Sequence, residues 1–80
     1  MSAAIDVFPA VLRHSGGDKL MRLRVVVDGG RLRAWTSRDG RPELVRDEEI
    51  KGPLRRGPRG GYEADVEGGT LTVTKGGGGT

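Results

Sequence analysis

The stretch LMRLRVVVDGGRLRAWT, residues 20–36, decides the fold of this chain. Apolar and polar residues alternate on both sides of Gly29-Gly30, as is typical of two half-buried strands. A two-residue hairpin turn needs positive φ at its centre, which glycine adopts without a Cβ clash. With the double glycine as the apex, Val27 lies opposite Leu32, and the register of the hairpin is defined.

The same motif recurs near the C-terminus, where residues 66–73, VEGGTLTV, repeat the pattern of residues 27–34, VDGGRLRA. With residues 68–69 as the second apex, Val66 lies opposite Leu71. The two apexes determine which side chains face solvent. A displacement of either apex by one position is therefore expected to exchange the buried and exposed faces.

The rest of the chain also has strand character, and no segment keeps a helical period over three turns. Residues 4–14 predict a strand that Pro9 places at a sheet edge or interrupts with a bulge. Beyond an Asp-Gly turn at 39–40, residues 43–46 predict a short strand and residues 47–49 a helical turn.

These elements predict an all-β fold, a small antiparallel barrel or sandwich of five to six short strands built from Gly-Gly hairpins. Residues 1–75 form one domain, residues 54–61 a loop, and residues 76–80 a flexible Gly-rich tail. Phe8 and Tyr62 are expected to be the largest core side chains.

The register predicts two different faces for the first sheet region. Val25 opposite Ala34 belongs to the core face, and Arg24 opposite Trp35 belongs to the outer face. The short strand after the Asp-Gly turn is expected to place Leu44 beside Trp35 and Val45 beside Ala34.

Composition limits the functions that the chain can perform. The 80 residues contain no cysteine, which excludes disulfides, thiolate metal sites and cysteine nucleophiles. No leader segment or apolar span is visible at the N-terminus, so we expect an intracellular protein without membrane contact. The net charge is +3, with 11 arginines against 3 lysines. This bias indicates either a GC-rich genome or recognition of phosphate and carboxylate groups.

No catalytic constellation is evident. His14 is the only histidine, and Ser15 and Asp18 lie on the same local loop, whereas triad members converge from separate elements. A metal site lacks a second His or any Cys. We therefore expect a protein that is not an enzyme and that uses no cofactor or metal.

Two surfaces are candidates for binding. The first is basic and surrounds the single tryptophan, with Arg24 and Trp35 either forming a cation–π pair on a solvated strand or joining a contact surface. Its candidate binding residues are Arg22, Arg24, Arg31, Arg33, Trp35, Arg55, Arg56 and Arg59. The second is the acidic strand of the C-terminal hairpin, a candidate self-association site at Glu63, Asp65 and Glu67.

Residues 11–50, with LRHSGGDK at 12–19 and LRVVV at 23–27, resemble small accessory proteins of actinobacteriophages. The resemblance implies a virion component or a ligand of a host factor, located in the virion or the host cytoplasm. It carries no catalytic residues.

The sequence therefore predicts a small β binding module that acts through protein–protein contacts, with homo-oligomers as a further option. The alternative is a nucleic-acid-binding protein, in which bases stack on Trp35 and arginines hold phosphates.

Overall fold

The structure is a computed structural model that describes residues 4–15 and 17–76. Strands dominate it, and a single 3₁₀ turn, η1, spans Pro58–Gly60. The strands are β1 (Ile5–His14), β2 (Lys19–Asp28), β3 (Arg31–Arg38), β4 (Arg41–Glu49), β5 (Arg55–Arg56), β6 (Tyr62–Val66) and β7 (Gly69–Lys75).

All strands belong to one antiparallel sheet with the order β4-β3-β2-β1-β7-β6-β5. The predicted all-β, hairpin-built fold is confirmed. The strand count of five to six was wrong, because the described residues form seven strands in a single open sheet. The seventh strand, β5, arises where residues 55–56 of the predicted loop pair with β6. Closure into a barrel or division into a sandwich is not confirmed.

The first hairpin has the predicted register. Asp28 pairs with Arg31 across the turn, and Val27 pairs with Leu32. Gly29 and Gly30 have φ of 61° and 78°. Both central residues of the turn therefore adopt the positive φ expected of the two glycines from the sequence.

The second hairpin turns one residue earlier than predicted. Val66 pairs with Gly69, which makes Glu67 and Gly68 the central residues of the turn, and Gly68 supplies the positive φ of 92°. The apex shift changes every cross-strand partner by two residues, since Ala64 rather than Val66 lies opposite Leu71. A change of two preserves the face, so the expected exchange of faces does not occur.

The N-terminal strand is not an edge strand, because β1 lies between β2 and β7. The alternative prediction, a bulge at Pro9, is confirmed by a register shift between Val7 and Ala10. A second shift follows between Ala10 and Leu12, where β2 carries the extra residue.

The short strand predicted at residues 43–46 is longer in the structure, where β4 spans Arg41–Glu49. The helical turn expected at residues 47–49 was wrong, because β4 continues to Glu49 and these acids pair with β3. Leu44 lies opposite Trp35 as predicted, whereas Val45 does not pair with Ala34. A bulge at this point leaves Val45 unpaired and 39% exposed, and Arg46 takes its place opposite Ala34.

The core lies on the inner face of the sheet, where eleven apolar side chains of the described residues form one buried cluster. The segment after β4 covers this cluster with Ile50 and Leu54, and the Lys51 N–H donates a 2.7 Å hydrogen bond to the Asp65 carbonyl. Tyr62 packs against the core as predicted, but Phe8 does not, since it is 60% exposed. The bulge at Pro9 changes which face Phe8 occupies.

The C-terminal tail expected at residues 76–80 lies outside the described residues except for Gly76. The Gly76 N–H donates a 2.6 Å hydrogen bond to the Pro9 carbonyl, which extends the pairing of β7 with β1 by one residue. In the described part of the chain, no helix is long and apolar enough to span a membrane.

Candidate functional site

An open groove of about 490 Å³ lies on the outer face of the sheet, lined by residues of β1 to β4 and of the β3–β4 turn. We call it the aromatic groove. Exposed Phe8 and half-buried Trp35 line it together with Arg22 and Arg24. Its remaining lining residues are Thr36, Ser37, Gly40 and Pro42. Two aromatic rings and two arginines therefore meet at one surface.

Strand geometry explains this convergence. Arg24 and Trp35 face each other across β2 and β3 and alternate with buried neighbours, which directs them to the outer face. Arg22 sits in the β2 bulge with a φ of 59°, and Phe8 sits in the β1 bulge. The two bulges thus supply Phe8 and Arg22, and the regular pairing of β2 with β3 supplies Arg24 and Trp35.

Arg24 forms its cation–π contact with a different ring from the one predicted. Its Cζ lies 5.0 Å from the centroid of Phe8, so the expected pairing with the Trp35 ring was wrong. Arg24 Nε also lies 3.3 Å from Asp6 Oδ1. Arg24, which lines the groove, therefore already has an acid partner in Asp6.

Two of the remaining three candidate sheet arginines are also compensated, whereas Arg22 forms no ion pair among the described residues. Arg31 Nε lies 2.9 Å and Arg33 Nε 3.7 Å from the same oxygen, Oδ1 of Asp47. This acid is on β4, in the segment that was expected to form a helical turn. The sheet surface around Trp35 is consequently much less positive than a count of its arginines suggests.

The loop arginines do not join the aromatic groove. Arg55 lies on β5, at the opposite edge of the sheet from β4, and its guanidinium binds both oxygens of Asp65 at 2.7 and 3.0 Å. A 3.4 Å contact with Glu63 completes the cluster. The hydrogen bond from Arg55 lowers the pKa of Asp65 below its ordinary value, and the same bond raises the pKa of Arg55. Arg56 is exposed beside it on β5.

The same contacts describe the candidate self-association site. Glu63 and Asp65 are partnered by Arg55 within the chain, while Glu67 is exposed in the turn. Two of the three acids therefore share one cation, Arg55.

Arg59 belongs to a second groove, of about 540 Å³, which we call the cationic groove. It lies on the outer face over β2, β1 and β7, and η1 closes one side of it. Its cations are Arg13, Lys19, Arg59 and Lys75, and its other lining residues are Val11, Met21, Pro58, Thr72 and Thr74. Sequence reasoning missed this site, because only the pairing of β1 with both β2 and β7 brings its residues together.

Ser15, directly after the end of β1 at His14, has a structural role. The Ser15 hydroxyl accepts a 2.9 Å hydrogen bond from the Thr70 N–H, and the Ser15 N–H donates to the Thr70 carbonyl at 2.8 Å. A Cβ at Gly69 would collide with this hydroxyl. Among residues 4–15 and 17–76, no three His, Cys, Asp or Glu side chains are grouped so as to hold a metal ion.

Comparison with known protein families, curated proteins and solved structures found no match.

Proposed function

We propose that this protein is a binding module that uses the aromatic groove to hold an apolar or aromatic side chain of a partner protein. The observation that carries the proposal is the exposure of Phe8, 60%, at a groove that it shares with Trp35. Leaving a large aromatic side chain in water forgoes about 1.5–3 kcal/mol of burial, and a partner that covers it recovers that free energy.

The electrostatics of the groove favour a protein over a polyanion. Arg24 is partnered by Asp6, and Arg31 and Arg33 share Asp47. Aromatic residues and arginines without a large excess of charge are typical of the energetically dominant centre of protein interfaces. The resemblance of residues 11–50 to actinobacteriophage proteins is the reason for expecting a virion protein or a host factor as the partner.

A selection of displayed peptides against the folded protein tests this proposal. We expect the wild type to enrich peptides with an apolar or aromatic anchor, and the Trp35→Ala variant to lose roughly tenfold or more in affinity for them. Val45→Ala is the matched control, because Val45 is an exposed apolar residue that does not line the groove. Enriched peptides that bind Trp35→Ala as tightly as the wild type would contradict the proposal.

Nucleic-acid binding is the second candidate, and the position of Phe8 favours it. The sequence offered a single exposed ring, whereas the groove contains two on which bases could stack. Fluorescence anisotropy with short single- and double-stranded oligonucleotides tests it. Affinity that falls steeply with salt and falls again in Trp35→Ala is expected, and flat titrations at low salt would exclude it.

Self-association through the acidic C-terminal hairpin is a further proposal. It depends on Glu67, which is exposed in the turn, because Arg55 already partners Glu63 and Asp65. Sedimentation velocity over a range of protein concentrations tests it. A mass that rises with concentration in the wild type but not in Glu67→Gln is expected. A mass that is constant in both would contradict it.

A further inference from the structure

The cationic groove has a charge arrangement that the aromatic groove lacks. Arg13, Lys19, Arg59 and Lys75 are all exposed, and none forms an ion pair with an acid of the described residues. No described Asp or Glu lines the groove. Asp18, which precedes Lys19, forms no ion pair among the described residues. Glu63, which lies opposite Thr72, is engaged by Arg55 at 3.4 Å.

Two of these cations face each other directly. Arg13 on β1 is the cross-strand partner of Lys19 on β2, and like charges at such positions destabilise a sheet. On the other side, Arg13 pairs with Thr72 of β7. The fold therefore holds two repelling cations and a hydroxyl side by side, and neither cation forms an ion pair with an acid in the described part of the chain.

A third cation is held in place by close backbone packing. Arg59 lies in η1, and the neighbouring Gly61 approaches β7 so closely that a Cβ there would collide with the Val73 carbonyl. Arg59 itself has a left-handed φ of 56°, a conformation that side chains other than glycine and asparagine adopt at a cost. The turn thus carries an arginine toward the groove at a position where glycine would be less strained.

We propose that the cationic groove is a phosphate-binding site that takes consecutive phosphate groups of a linear polyanion. Guanidinium and ammonium groups supply the charge, and the hydroxyls of Thr72 and Thr74 supply neutral hydrogen-bond donors of the kind that contact phosphate oxygens. The proposal is independent of the aromatic groove, since the two grooves share no lining residue. Inorganic polyphosphate and the backbone of a single-stranded nucleic acid present the same chemistry.

Calorimetric titration with tripolyphosphate, and anisotropy with an oligothymidylate of about 12 nucleotides, test the site. The variant is the double substitution Arg13→Gln, Lys75→Gln. Its matched control is Arg41→Gln, Lys51→Gln, which removes the same charge from exposed cations outside the groove. All four residues are exposed, so both variants should melt close to the wild type.

We expect the groove variant to bind both ligands at least about tenfold more weakly and the control to change affinity less than about threefold. For the oligonucleotide, the plot of the logarithm of the association constant against the logarithm of the salt concentration should also become shallower. We expect its slope to change by about 1.4, because two phosphate contacts of a single strand are lost. Loss for the oligonucleotide alone would assign the site to a nucleic-acid backbone, and loss for both would assign it to phosphate chains in general.

Three results would overturn the proposal. The first is equal weakening in the groove variant and the control, which would show only a diffuse effect of net charge. The second is a polyglutamate peptide that binds as tightly as tripolyphosphate, which would show that the groove selects carboxylates. The third is the absence of binding by the wild type at low salt.

Discussion

At the scale of the residue, the most informative positions are two arginines with left-handed backbones, Arg22 with φ 59° and Arg59 with φ 56°. Each lines one of the two grooves. A left-handed conformation costs a residue with a Cβ about 1–2 kcal/mol, most of which glycine avoids. Strained arginines at both grooves are what the proposed contact sites would require, because backbone strain tends to occur at functional positions.

Arg22→Gly should therefore stabilise the fold while weakening binding at the aromatic groove. We expect the free energy of unfolding to rise by about 0.5–1 kcal/mol, because relief of the left-handed strain exceeds the extra entropy of glycine in the unfolded chain. Urea denaturation measures it. Arg24→Gly is the control, since Arg24 lies in regular strand and its replacement should lower stability by a similar amount. Equal destabilisation by both changes would contradict this interpretation of Arg22.

Tyr62 gives a prediction about pH. Burial, followed by the charge of Asp6, raises the pKa of Tyr62 from 10.0 to about 12. Between those values the unfolded chain loses the phenolic proton before the folded protein does. The free energy of unfolding should consequently fall as pH rises through this interval. Urea denaturation across the interval should show a smaller fall in Tyr62→Phe.

The same substitution has a second expected result at neutral pH. The Tyr62 hydroxyl is buried and has no hydrogen-bond partner within the described part of the chain. Its removal should leave stability unchanged or slightly higher, because a buried unpaired hydroxyl costs free energy. A loss of more than about 1 kcal/mol in Tyr62→Phe would show that the hydroxyl has a partner.

At the scale of the element, the position of η1 depends on Gly61 and on its close approach to β7. Gly61→Ala would bring a Cβ into the Val73 carbonyl, so we expect stability to fall by about 1–3 kcal/mol. Affinity for tripolyphosphate should fall as well, because Arg59 moves with the turn. Gly52→Ala is the control for lost stability without a clash at η1, since its Cβ would meet nothing within 4 Å but its φ of 92° is strained for alanine. It should lower stability and leave tripolyphosphate affinity unchanged.

The two hairpins show what local patterns in a sequence can predict. The first double glycine is a turn centre in both residues, and its register follows from the alternation alone. In the second hairpin the turn uses Glu67 and Gly68 instead, a choice that the sequence pattern did not distinguish. The buried face was still predicted correctly, because moving an apex by one residue shifts cross-strand partners by two.

The candidate sites were harder to predict, because they depend on irregular strands and distant pairings. Phe8 was assigned to the core, and only the bulge at Pro9 brings it to the outer face beside Arg24. The acid that compensates both Arg31 and Arg33 could not be recognised while Asp47 was expected in a helical turn. The cationic groove requires β1 to pair with strands from both ends of the chain.

At the scale of the whole molecule, a net charge of +3 is distributed unevenly over one outer face. Near the aromatic groove, Asp6 of β1 partners Arg24, and Asp47 of β4 partners Arg31 and Arg33, while Arg22 forms no ion pair among the described residues. Over the cationic groove, four cations have no acid among the lining residues. We therefore expect the outer face to carry two contact sites that differ in chemistry.

The most direct measurement of this separation is a titration of the ¹⁵N-labelled protein with tripolyphosphate, followed by amide and indole chemical shifts. We expect the shifts to concentrate at Arg13, Lys19, Arg59 and Lys75, with the Trp35 indole resonance unmoved. Shifts centred on Trp35, or spread evenly over all arginines, would contradict the division of the outer face into two sites.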